Sequence, residues 1–315
     1  MKKKLATLIL VLLTIFVFSG CSNNGSKSTE DTSKVRVVAT IFPVADIINN
    51  IGGDKVEVST LLPAGSSPHT FEATPEQLKQ ISGTQLFVKV GADLDTFADK
   101  LAEAGKPELM TLTLADKVDL LAESPLEEIE DKAGTGADTH SHHHHDMNPH
   151  FWLNPVLVKD CLAPEIADAL AILSPEDKDY FQANLTEYCN KIDQLDQEID
   201  QKTSVLKNRS FIAFHSSWCY FADRYNLEDI TVEEFPGKEP SAKWIAGIID
   251  LAKSKQAKAV LIEPQFSPKA AQVLADEIGI PVIKVDPLGA ENITGFNSYL
   301  SIMRSNTDNL VKALQ

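Results

Sequence analysis

The chain has 315 residues, with 29 Lys and Arg against 45 Asp and Glu and a formal net charge of −16 when histidine is neutral. That acidic balance excludes nucleic acid as a partner, because phosphate binding requires a basic surface. It leaves only a weak, salt-screened bias toward cations. The length exceeds one comfortable hydrophobic core, so two lobes are expected.

Lys2, Lys3 and Lys4 precede an apolar run from Leu5 to Phe18 that is broken only by two threonines. Residues 1–20 read as a secretory signal, too short and wrongly flanked for a membrane-spanning domain. Ser19 and Gly20 before Cys21 have the small-residue pattern of a bacterial lipobox, with Phe18 where Leu is usual. The expectation is a lipidated Cys21 at the mature N-terminus, followed by a flexible tether over residues 21–34 that lacks apolar side chains. Cleavage there removes three lysines and leaves 26 basic against 45 acidic residues. The protein is expected outside the cytoplasm, held to the outer face of the membrane by lipid. Stable anchoring requires more than one acyl chain.

From Val35 the chain alternates strand and helix. Residues 35–40 and 56–62 are β-branched runs separated by a helical stretch, and a turn-rich loop carrying His69 follows. Thr74, Pro75 and Gln77 form a helix start with N-cap threonine, proline at N1 and glutamine at N3. Further strands are expected at 86–90 and 110–114. Strands separated by helices imply parallel pairing with right-handed crossovers. An N-terminal α/β lobe is therefore placed at 35–173. Ser174, Pro175, Glu176 and Asp177 then read as the start of a long helix with Phe181, Leu185, Tyr188, Ile192, Leu195 and Ile199 on one stripe. A helix over 174–206 would form a stiff spine between the lobes. A second α/β lobe, 207–315, follows with strands at 211–214, 229–232, 259–263 and 281–285. His215 and Asp286 fall at carboxyl ends of parallel strands, the edge where open α/β sheets bind ligands.

Eight histidines occur in the chain. Three stand alone at His69, His150 and His215, and five crowd together as His140, His142, His143, His144 and His145. Imidazole is the commonest zinc ligand, and widely spaced histidines are gathered by folding. The dense tract, within a loop at 138–146, suits exposed, low-affinity metal capture. Taken singly, each lone histidine reads equally well as an ordinary polar or buried residue. It is their joint pattern that points to a metal. Cys161, Cys189 and Cys219 lack CxxC spacing, and Cys161 and Cys189 are either free thiols or a helix-to-helix disulfide.

The segments PAGSSPHTFEATPEQL, FVKVGADLDTFADKL, NPHFWLNP, AFHSSWCYFADRYNL, EPSAKWI, IEPQFSPKAAQVLADEIGIPV and DPLG, in this order, resemble the metal-specific substrate-binding lipoproteins of bacterial ABC transporters, the ZnuA/TroA-like or cluster A-I group. The resemblance covers essentially all of the mature chain. It implies two lobes with parallel four-stranded sheets, joined by one long rigid helix, with the metal in the cleft between them. It also implies His69, His150, His215 and Asp286 as ligands, with Glu72 and Glu263 as supporting or structural carboxylates. Where this chain has Asn148, the family often has Asp. Three imidazoles and a carboxylate suit Zn(II), and Mn(II) ranks second because manganese members resemble this chain except for glutamate at the position of His215. The implied protein is a monomeric, non-enzymatic zinc-import binding protein that delivers Zn(II) to a permease. A manganese carrier, a secreted zinc hydrolase and a surface adhesin are the alternatives. No HExxH stands in the sequence for the hydrolase.

Overall fold

The computed structural model describes residues 34–103, 107–122, 147–233 and 241–315. The signal segment, Cys21, nearly all of the tether and the histidines at 140–145 lie outside the described residues.

Strands β1 (Val35–Ala39), β2 (Val56–Thr60), β3 (Leu86–Lys89) and β4 (Met110–Thr113) form one sheet. Strands β5 (Ser210–Ala213), β6 (Glu228–Thr231), β7 (Val260–Ile262) and β8 (Val282–Lys284) form another. The sheets share one plan, with orders β2-β1-β3-β4 and β6-β5-β7-β8. Every pairing is parallel, as in Val37 opposite Leu86 and Ile212 opposite Val260. In such sheets a ligand crevice opens outside the carboxyl ends of strands where the order reverses. In the second sheet that place lies between β5 and β7.

Nine helices of six residues or more, among the described residues, cover the sheets: α1 (Phe42–Gly52), α2 (Pro75–Ile81), α3 (Phe97–Glu103), α4 (Ala163–Leu173), α5 (Lys178–Ser204), α6 (Cys219–Arg224), α7 (Ala242–Ser254), α8 (Pro268–Ile278) and α9 (Tyr299–Leu314). Their starts follow the sequence. Thr74 and Gln77 form the expected capping box on α2, and the Ser241 hydroxyl accepts from the Trp244 amide at 3.2 Å. Helix α5 is 27 residues long, about 40 Å at 1.5 Å per residue. It buries Phe181, Tyr188, Ile192, Leu195 and Ile199, with Leu185 half-buried. Its start differs from the expected one: residues 175–177 form a 3₁₀ turn, and the Ser174 hydroxyl donates to the Asp177 carboxylate at 2.8 Å rather than capping amides. Asp177 is thereby shared between Ser174 and Lys55, 3.0 Å away.

The spine is fixed to both halves. Asn184 donates to the Ile51 carbonyl at 2.9 Å, and Glu198 pairs with Arg304 at 2.7 Å. At its C-terminal end the Arg209 guanidinium donates to the carbonyls of Thr203, Leu206, Tyr225 and Asn226, satisfying acceptors that a helix end leaves unpaired. The two lobes expected from the length are present, and smaller apolar clusters belong to one half each. The largest apolar cluster is shared by both, containing Val37 and Leu86 of the first sheet, Ile192 and Leu195 of α5, and Phe211 and Leu261 of the second sheet. The reason is the spine itself, which packs against α1 and α4 of the first half and α9 of the second. Cys161 and Cys189 are free thiols.

One polar residue runs against this packing. Asp229, in β6, has a carboxylate oxygen buried without a hydrogen-bond partner, and burial pushes its pKa from 3.8 up to about 6. A raised carboxyl pKa contributes stability that is full below about pH 4 and is lost as pH rises through about 6. Asp229→Asn, which stays neutral, should therefore stabilise the protein by roughly 1–3 kcal/mol at pH 7. The gain should vanish at pH 4, as read from denaturant unfolding at the two pH values.

Candidate metal site

Each lone histidine is delivered by a different local device. His69 lies in the loop after β2, where the Thr70 amide closes a turn on the Ser67 carbonyl at 3.4 Å. His150 immediately precedes a 3₁₀ turn over Phe151–Leu153, three residues that are essentially fully buried. Asn154 then caps the next helical turn through the Val156 amide. His215 stands two residues beyond β5, at the edge where the strand order reverses. The three rings meet: one ligand nitrogen from each lies within 4.8 Å of the others, with His150 and His215 buried and His69 half-buried. His69 Nε2 and His215 Nε2 are 3.1 Å apart.

The outward nitrogens are held by neighbours, which decides what the inward ones can do. Asn148 donates Nδ2–H to the Ser216 carbonyl at 2.5 Å, so its Oδ1 must face His150. That oxygen accepts from the His150 amide and lies 3.0 Å from His150 Nδ1. Nδ1 therefore carries the proton, and the Nε2 lone pair is presented to the cleft. This is the usual way an outer partner sets a ligand tautomer. Glu263 plays the same part for His215, with Oε2 3.2 Å from Nδ1. Its other oxygen accepts from Ser217 and from Trp218 Nε1, the latter at 3.1 Å. The cavity among the three rings is about 10 Å³ and is also lined by Trp152, Glu263 and Gln265. That volume is on the order of one water molecule or ion.

Two expected residues stand elsewhere. Glu72 is exposed and is not among the groups that converge with the histidines, because the chain beyond His69 leads out to the solvated start of α2. Asp286 is buried, but it is not among the groups that converge with the histidines. Its Oδ1 accepts from the amides of Leu288 and Gly289 at 3.0 and 2.9 Å. Asn306 grips its backbone from both sides. The turn is tight: Gly289 has φ of +61°, and a Cβ there would lie 2.3 Å from the Phe296 carbonyl oxygen. Asp286 thus holds the turn that places Pro287 and Leu288 over the cavity. Asn148 was visible in the sequence only as a departure from a family pattern, and its bond to Ser216 required the fold. Glu233 was not singled out at all, yet its Oε2 lies 3.8 Å from His215 Nε2.

A family model described as zinc-uptake complex component A, ZnuA, matches residues 37–313. The chain belongs to the ZnuA family. It is 28% identical over 321 residues to the high-affinity zinc uptake system protein ZnuA of Bacillus subtilis strain 168, covering 100% of this chain and 99% of that one. It is also 28% identical over 309 residues to the zinc-binding lipoprotein AdcA of Streptococcus pneumoniae strain ATCC BAA-255 / R6, covering 96% of this chain and 60% of AdcA. The chain thus spans about three fifths of the AdcA length. Among solved structures, a crystal structure of ZnuA superposes with a TM-score of 0.76 at 32% identity, covering 90% of this chain and 100% of that one. The two parallel four-stranded sheets and the long helix are this family's fold.

Burial pushes the His69 pKa down to about 3, with nearby His215 adding to the shift. His150 is held well below the ordinary 6.5 for the same reasons. Both rings stay neutral through the acid range in which free histidine protonates, so protons do not compete there for a cation. For the metal-free protein the sign is destabilising: below about pH 6.5 the unfolded chain takes protons that these folded rings refuse. Zinc affinity of the folded protein should therefore fall far less between pH 7 and 5.5 than the several hundredfold that three ordinary imidazoles would lose. Competition with a chelator of known pH dependence measures this directly.

Proposed function

We propose that this protein captures a Zn(II) ion outside the cytoplasm and delivers it to the permease of an ABC transporter, acting as a carrier without chemistry of its own. The observation that carries the reading is the convergence of His69, His150 and His215, with hydrogen bonds aiming Nε2 of His150 and His215 into a buried cavity of about 10 Å³. Three nitrogen donors in a closed site favour zinc, and rank Mn(II) behind it, because manganese prefers oxygen donors. Membership of the ZnuA family and the names of its zinc-uptake relatives support the same cargo. The lipobox-like Cys21 and the similarity to a zinc-binding lipoprotein support attachment to the membrane surface. No helix among the described residues is long and apolar enough to cross a membrane.

The hydrolase alternative needs room for an organic substrate beside the metal, and the histidine cavity admits one small ion. A larger cleft of about 1030 Å³ opens nearby, lined by Asp46, Thr60 and Glu291 among others. It meets the histidine cavity only at Leu288, and no histidine lines it.

The purified chain, prepared without a polyhistidine tag, should hold one zinc ion tightly and further ions weakly. Deleting residues 138–146 should remove the weak ions and leave the tight one, and His215→Ala should abolish the tight one. Native mass spectrometry with metal analysis counts them. Tight binding that survives His215→Ala but disappears with the loop deletion would place the cargo site elsewhere.

A further inference from the structure

Asn148 is fully buried, and each of its polar atoms is engaged. Its amide donates to the Leu121 carbonyl at 2.8 Å, and its carbonyl accepts from the Tyr220 hydroxyl at 2.8 Å. The side chain divides its two ends between the halves of the chain. Oδ1 accepts from the His150 amide and faces His150 Nδ1, each at 3.0 Å. Nδ2 donates to the carbonyl of Ser216, the residue after His215. The turn that carries this carbonyl is itself tight: the Ser217 amide closes on the His215 carbonyl at 2.8 Å, and the Ser217 hydroxyl donates to Glu263. One planar amide thus holds the ligand segment of the first half with one end and that of the second half with the other. The rings it connects, His150 and His215, stand edge to face with centroids 4.8 Å apart, the shortest of the three separations among the histidines.

We propose that Asn148 is a positioning residue that fixes His150 relative to His215 across the two halves, so that the zinc site is preorganised; this rests on the zinc-carrier reading given above. The geometry calls for an amide. His150 requires an acceptor and the Ser216 carbonyl a donor, and the two ends of a carboxamide supply one of each. An ionised carboxylate has acceptors only. It would serve His150 equally well but turn its second oxygen onto the Ser216 carbonyl, two acceptors facing each other where water is excluded, which is costly. Asn148 therefore does more than orient one ring: it couples the orientation of His150 to the placement of the turn after His215. Outer partners of this kind hold ligands in the productive geometry before the ion arrives.

The test uses the full mature chain and three variants. Asn148→Ala removes both ends of the amide, and Asn148→Asp keeps the acceptor but removes the donor. Tyr220→Phe removes a neighbouring bond between the halves and leaves the amide intact. Circular dichroism of each metal-free form checks folding. In the metal-free parent, long-range proton–nitrogen NMR should show His150 protonated at Nδ1, its signals assigned by their loss in His150→Gln. That signature should persist in Asn148→Asp and Tyr220→Phe and be lost in Asn148→Ala. Hydrogen exchange at residues 215–218 should quicken in both Asn148 variants. By chelator competition, zinc affinity should fall about 10–100-fold in Asn148→Ala, the usual loss for an outer partner, and stay nearly unchanged in Tyr220→Phe. Protonation of His150 at Nε2 in the parent would overturn the assignment, because the amide would then be turned the other way. So would unchanged exchange at 215–218 in Asn148→Asp, which also decides the matter if Asn148→Ala does not fold. An affinity loss in Tyr220→Phe as large as in Asn148→Ala would overturn it too, since the effect would then be general loosening. If the parent binds no zinc tightly, the carrier reading fails, while the NMR and exchange results, obtained without metal, still judge the role of Asn148.

Discussion

Three imidazole rings with nitrogens turned toward one another in a buried cavity are an arrangement that protein packing alone does not favour. Water is largely excluded from their polar atoms, and their nitrogens present lone pairs to a common point. A cation at that point converts this cost into the main attraction of the site. The rest of the molecule serves to keep the rings there. His69 and His150 come from the first half of the chain and His215 from the second, so the site exists only while both sheets hold their relative position.

That position is secured close to the site as well as along the spine. Tyr220, from the second half, donates its hydroxyl to the Asn148 carbonyl at 2.8 Å and accepts from the Leu121 amide at 2.9 Å. Trp152 donates across to the Pro287 carbonyl at 3.0 Å, and Tyr299 donates to the Trp152 carbonyl at 2.9 Å. These buried bonds bracket His150 on both sides. Bending α5 would break its hydrogen-bond ladder, and the continuous apolar cluster resists separation of the sheets. Metal release is therefore expected to move loops around the histidines rather than swing whole lobes. A permease can read such a change only if it binds the two loop states differently.

Much of this was legible in the sequence, for definite physical reasons. Apolar and β-branched runs alternating with helical stretches marked all eight strands, and the apolar stripe from Phe181 to Ile199 marked the spine, because burial selects such residues in both. The histidines were legible because imidazole is scarce in this chain, so three isolated copies stand out. What was not legible depends on side-chain contacts between distant segments. Asp286 follows a strand just as His215 does, and only the amides of Leu288 and Gly289 show that its carboxylate holds a turn. Glu72 is three residues from His69, yet an extended segment carries it out to solvent. Glu233 sits in a charged, Pro- and Gly-containing stretch that reads as a solvated loop until β6 places it beside His215. That the largest apolar cluster runs through both halves was hidden because chain length bears on core size and not on sharing.

The central claim is that one ion is held at once by His69, His150 and His215, across the two halves of the chain. A crystal structure of the zinc-loaded protein, with anomalous maps calculated on both sides of the zinc absorption edge, tests it most directly. The account predicts one strong zinc peak about 2.0–2.1 Å from a ring nitrogen of each of the three histidines. A strong peak that lacks any one of them, or a fully loaded protein with no peak between the two halves, would contradict it.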